Sequence, residues 1–207
     1  MSLKSKLYYS PLGYVAHIVL VTLSCLGKKC MIYGYRDSTG RYLKKCRIAS
    51  TASISDKKKL VIQDNVWINH YARIDTTGGV EIGEGCQIGY GSCILSHSSH
   101  IAIRLMGIHY MDKSPDNRPG YVLKPVKIGK YTFIAGGSYI MPGVTIGKGC
   151  VVGVNSVVTK DVPDYAIVVG SPAKIIGSTL ELDKRYLEDD NVQCTYYDEE
   201  TLDKILS

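Results

Sequence analysis

The chain has 207 residues, 45% hydrophobic and 21% charged, which excludes a disordered chain, a collagen-like fibre and a multi-span membrane protein. Ile and Val together supply 39 residues against 16 Leu, and Gly adds 21, so strands and turns are expected rather than a helical bundle. The net charge of +6 is unevenly placed, with 12 Lys and Arg against 2 acids in residues 1–60 and 3 against 9 in residues 178–207; no nucleic-acid-binding motif accompanies the basic end, and nucleic acid is not expected as a partner.

Residues 1–47 read as a basic, apolar N-terminal segment. Lys4 and Lys6 precede an apolar run from Leu12 to Leu26. The run is shorter than the ~20 residues a membrane span needs, His17 interrupts it, and no small-x-small cleavage site follows. A helix is therefore predicted instead of a signal peptide. Its stripe would be Leu12, Val15, Val19, Leu23 and Leu26, packed on the body or lying on a membrane surface. Lys28, Lys29, Arg36, Arg41, Lys44 and Lys45 follow, so peripheral contact with the inner face of an anionic membrane is an expectation for this end. The seven Cys are odd in number and include no CxxC pair. They read as free thiols of a reducing, cytoplasmic compartment.

From residue 48 onward a six-residue period appears. Ile62, Ile68 and Ile74, then Ile82, Ile88 and Ile94, then Ile128, Ile134, Ile140, Ile146, Val152 and Val158 are anchors, with Ile48 and Ile54 as a worn first turn. Four residues after each of the twelve clear anchors stands a small or β-branched residue, such as Ala72, Cys86, Ser92, Thr132 and Cys150. Six fits neither a helix nor a long flat strand. It fits a parallel β-helix with three short sides per turn, large aliphatics inward and small residues at the corners. Gly83, Gly89, Gly129, Gly147 and Gly153, directly after anchors, and Gly85, Gly91, Gly143 and Gly149, two residues later, are expected to supply unusual backbone angles. Cys86 and Cys150 occupy the corner slot and are expected to be core thiols, not acyl carriers. Pro163 and Pro172, which lack an N–H, are expected to stop the ladder where the chain leaves the coil.

This repeat resembles the hexapeptide-repeat acyltransferases over residues 48–177. Residues 140–147 (Ile-Met-Pro-Gly-Val-Thr-Ile-Gly), 157–163 (Val-Val-Thr-Lys-Asp-Val-Pro) and 170–174 (Gly-Ser-Pro-Ala-Lys) resemble the closing segment of the galactoside, maltose and capsular-sugar O-acetyltransferase branch. The resemblance implies an all-β, left-handed parallel β-helix, an exception to right-handed crossovers. It also implies acetyl-CoA as acyl donor, no metal, and a homotrimer.

Between Ile94 and Ile128 the period lapses, giving a loop insertion of about residues 98–125, and His97, His100 and His109 all fall in this gap. Long loops in a regular coil are usually functional. The resemblance implies that a His at its start is the general base, since a hydroxyl cannot ionise alone near neutral pH and imidazole is suited to take its proton. His97 falls three residues after its anchor and His100 six after. Both are candidates, with His97 favoured. Arg104, His109, Asp112 and Arg118 are candidates for acceptor binding. The resemblance places the donor site along the coil edge, at positions matching Gly136, Val154, Thr159, Lys160 and Lys174, where the two lysines suit the anionic phosphates of CoA. A backbone N–H near Gly136 would serve the oxyanion.

The function implied is acetyl-CoA-dependent O-acetylation of a sugar hydroxyl, the acceptor being a surface-polysaccharide precursor. N-acetylation of an amino- or nucleotide-sugar is the nearest alternative. A γ-type carbonic anhydrase would need His70, His97 and His100 as metal ligands, without that family's spacing. A non-catalytic coil would show outward Thr rows, which are absent. Residues 178–207 form an acidic C-terminal extension, expected to be solvated or to dock on the basic segment of a neighbouring subunit.

Overall fold

The computed structural model describes residues 10–24, 27, 29–187 and 190–206. Lys4, Lys6, Cys25, Leu26, Lys28, Glu188 and Asp189 lie outside these residues. The repeat folds into a three-sided parallel coil. On the first side Ile48, Ile68, Ile88, Ile134, Val152 and Val168 stack in register. On the second, Ile54, Ile74, Ile94, Ile140 and Val158 do so. On the third, Ile62, Ile82, Ile128 and Ile146 complete the turns. None of the twelve clear anchors is more than 3% exposed. Replacing Ile134 with Ala is expected to cost about 2–5 kcal/mol in chemical denaturation. Replacing its outward neighbour Phe133, 43% exposed, should cost a small fraction of that.

The small corner residues have a polar reason as well as a steric one. Ser92 Oγ donates to Ala135 O at 2.9 Å, Thr132 Oγ1 to Gly147 O at 2.8 Å and Ser138 Oγ to Gly153 O at 2.8 Å. Each buried hydroxyl thereby satisfies a carbonyl of the next turn. Cys86 uses the same slot, its Sγ 3.0 Å from Gly129 O. Burial pushes the Cys86 and Cys46 thiols up to about 12 and raises Cys150, leaving them inert.

The glycines divide into two physical classes, and the expectation of unusual angles holds for only one. Gly85, Gly91, Gly143 and Gly149 have positive φ. Gly83, Gly89, Gly129, Gly147 and Gly153 do not; at Gly89 a Cβ would come within 2.5 Å of Gly136 N, so this class is required by the close stacking of adjacent turns. Pro163 also differs from expectation. Beyond it the strand Ala166–Gly170 still pairs in parallel with Val151–Val152, because Pro163 stands ahead of the turn that leads into this strand, where no ladder donor is required. The reversal comes at Ser171-Pro172, where the chain returns antiparallel as Ala173–Ser178.

At the other end, helix α1 (Pro11–Ser24) packs on an antiparallel hairpin of Met31–Arg36 and Tyr42–Ala49. The predicted stripe is on the wrong side to pack on the body. Gly13 is buried and His17 Nδ1 meets Tyr33 O at 2.8 Å, whereas Leu12, Val15, Val19 and Leu23 are exposed. The acidic extension folds against its own coil instead of standing in solvent. Lys148 Nζ meets Asp198 Oδ2 at 2.9 Å, Tyr165 Oη shares a buried hydrogen bond with Thr201, and the Tyr131 and Tyr197 rings lie 4.6 Å apart.

Candidate active site

The corner between the second and third sides is where the coil departs from strict periodicity. Asp75 ends the strand Arg73–Asp75 and lies opposite Leu95 of the neighbouring Cys93–Leu95. Its carboxylate is 2% exposed and accepts four hydrogen bonds. Thr77 N and Oγ1 donate to Oδ1, and Ser96 N donates to Oδ2 at 3.1 Å. The fourth is His97 Nδ1, 2.5 Å from Oδ2. Burial opposes the charge, but hydrogen bonds from Thr77, His97 and the Ser96 backbone outweigh it and hold the Asp75 carboxyl below its ordinary value. An ionised carboxylate only accepts, so Nδ1 of a neutral His97 carries the proton and Nε2 keeps its lone pair. The side chain of His97 is 34% exposed, within reach of a substrate.

After Ser96 the chain leaves the coil. It forms the helix Ala102–Met106 and two short 3-10 turns, then returns as Val122–Leu123, antiparallel to His97–Ser98. His97 thus stands on a two-stranded ribbon at the root of the insertion. The Tyr121 ring stacks on its imidazole, 5.7 Å between centroids and 22° apart, and Arg118 lies over Tyr110 at 4.0 Å and Tyr121 at 5.8 Å.

The other predicted residues are distributed less tightly. His100 Nδ1 bonds only to Ser98 Oγ at 2.7 Å, and its carbonyl accepts from Arg104 at 2.5 Å. No acid orients it in these contacts. His109 pairs with Asp112 at 2.9 Å, both well exposed on the outer part of the insertion, where such pairs contribute little. Thr159 and Lys160 lie at the same corner as His97 in the last turn, following the second-side strand Val157–Val158. Gly136 and Val154 belong instead to the corner between the first and second sides, at the opposite end of the second side, and Lys174 pairs with Val169 near that corner. His70 is at that other corner too, bonded to Thr51 Oγ1 at 2.9 Å. Among the described residues no group of three or more His, Cys, Asp or Glu side chains converges as a metal site.

The bacterial transferase hexapeptide family (six repeats) matches residues 125–160, from the strand Val126–Ile128 to the strand Val157–Val158. The family's repeat thus coincides with the closing turns of the coil. A Mycobacterium tuberculosis protein named as a probable acetyltransferase is 35% identical over 129 residues, 62% of this chain and 38% of that protein. Staphylococcus aureus proteins bearing acetyltransferase names are 48% identical over 52 residues, 25% of this chain and 26% of theirs. This hexapeptide-repeat chain therefore spans between about a quarter and two fifths of the length of those relatives. Among solved structures, a hexapeptide-repeat acetyltransferase from Vibrio cholerae superposes with a TM-score of 0.51 at 29% identity, covering 61% of this chain and 66% of that one. A maltose O-acetyltransferase from Clostridium difficile gives 0.51 at 28% identity, covering 61% and 63%. The Vibrio cholerae protein has also been solved with acetyl coenzyme A.

Two features of the hexapeptide-repeat site escape a reading by period alone. Asp75 precedes His97 by one coil turn plus two residues and follows an anchor directly, where most turns place a glycine or an amide. That unusual acid was the available signal. Tyr121 carried none, since only the return of the insertion brings it to the imidazole.

Proposed function

We propose that the protein transfers an acetyl group from acetyl-CoA to a hydroxyl of a sugar acceptor, with His97 as general base and Asp75 fixing its tautomer and orientation. The His97–Asp75 pair at the root of the insertion carries this reading, and the acetyltransferase relatives and neighbours support it. The Nε2 lone pair takes the acceptor proton as the hydroxyl oxygen bonds to the thioester carbonyl carbon. The C–S bond then breaks, and the leaving thiolate recovers the proton from the imidazolium. One acetyl ester and one CoA thiol result.

Lys160 and Lys174 suit the donor phosphates, both being exposed cations. Gly136 and Val154 lie at the opposite end of the second side from His97 within one chain, so a donor groove using both edges is completed by a neighbouring subunit. This favours a trimer of left-handed coils, with the oxyanion N–H near Gly136 contributed across the interface. The test is acceptor-dependent release of CoA thiol across monosaccharides, nucleotide-sugars and lipid-linked glycans. A product labile to mild alkali identifies an ester, whereas a stable product identifies an amide and redirects the reading to amino-sugars. No acceptor-dependent release with any of these would overturn the proposal.

A further inference from the structure

Helix α1 contains no Asp, Glu, Lys or Arg in its 14 residues. Ordinary surface helices put charge on the side away from the core. Here the outward arc is apolar: Leu12 is 64% exposed, Val15 56%, Val19 50%, Ile18 49% and Leu23 41%. Spacings of three and four residues set these side chains along one face, opposite the contact made by Gly13 and His17. At ~1.5 Å per residue the helix is too short to cross a bilayer, and among the described residues no helix is long and apolar enough to do so.

Two cations, Arg36 and Lys57, stand beside it. Arg36 lies over the Tyr14 ring at 5.5 Å and donates to Tyr14 Oη at 3.2 Å. A groove of about 560 Å³ beside the helix is lined by His17, Ile32, Ile48 and Ile54 together with Arg36 and Lys57. Lys29, Arg41, Lys44, Lys45, Lys58 and Lys59 are exposed in the same N-terminal region. The acids of residues 1–60 number only two, and Asp37 is already paired with Arg41 at 3.2 Å.

We propose that this end of the coil is a docking surface for an anionic lipid bilayer, with α1 lying in the interface plane and its Leu12–Val15–Val19–Leu23 face among the acyl chains. Charge selects the occupant. A second copy seated face to face would bring two strongly basic ends together, whereas anionic headgroups complement them. The inference stands apart from the acetyl-transfer reading.

The experiment is sedimentation of the full chain with vesicles of phosphatidylcholine alone or with one third phosphatidylglycerol. Wild type should pellet with the anionic vesicles at low salt and be released by high salt. A Val15→Ser, Val19→Ser, Leu23→Ser variant, altered only at exposed positions, should keep the wild-type melting temperature and partition at least tenfold less. An Arg36→Gln, Lys57→Gln variant should show a comparable loss and retain the apolar face. Wild type remaining in the supernatant with every vesicle would overturn the proposal. So would wild-type partitioning by both variants, or a fall in molar mass by light scattering in the serine variant, which would make the face a contact between copies.

Discussion

Replacing His97 with Ala is expected to lower acetyl transfer by about 10²- to 10⁴-fold, the usual contribution of a positioned general base. Replacing His100 with Ala should change it by no more than a few-fold. The contrast follows from orientation. His97 is tied through Nδ1 to a buried carboxylate and stacked on Tyr121, which fixes the ring and leaves Nε2 for the substrate. His100 is held only by Ser98 Oγ, two residues away and exposed. Steady-state CoA release, with acceptor and acetyl-CoA varied in turn, distinguishes them. Near-normal turnover in His97→Ala, or an equal loss in His100→Ala, would remove His97 from the mechanism.

In the proposed mechanism Asp75 acts through His97 and is a positioning residue. Asp75→Asn preserves size but offers an amide that can donate toward Nδ1, stabilising the tautomer in which Nε2 carries the proton. Loss of turnover of about 10²- to 10⁴-fold is expected, by analogy with the orienting carboxylate of serine hydrolases. The KM for acetyl-CoA should stay near wild type, since Asp75 is buried beneath the histidine, and a purely structural defect would not produce this separation. The same carboxylate gives a pH signature in stability. Its folded value lies below the unfolded one, so its contribution is present above the ordinary Asp value of about 3.9 and is lost as pH falls through the depressed folded value. Denaturation midpoints should show a shallower acid limb in Asp75→Asn than in wild type.

The period of six in Ile and Val determined the coil, its inward anchors and the small buried corners, because each of these is a local consequence of side-chain size repeating with the turn. The lapse between Ile94 and Ile128 likewise located the insertion and its histidines. Which histidine is oriented was not legible, since Asp75 and His97 meet through the stacking of successive turns and Tyr121 arrives only when the insertion closes on His97–Ser98. The direction of the α1 stripe was also beyond the sequence. In a helix without charged side chains, contact with the hairpin decides which side is inward, and here it chose Gly13 and His17. The acidic tail looked solvated for a similar reason: its partner Lys148 is 50 residues distant from Asp198 along the chain. Local periodicity thus wrote the scaffold, and contacts between distant segments decided the site, because burial and hydrogen-bond geometry exist only once the turns are stacked.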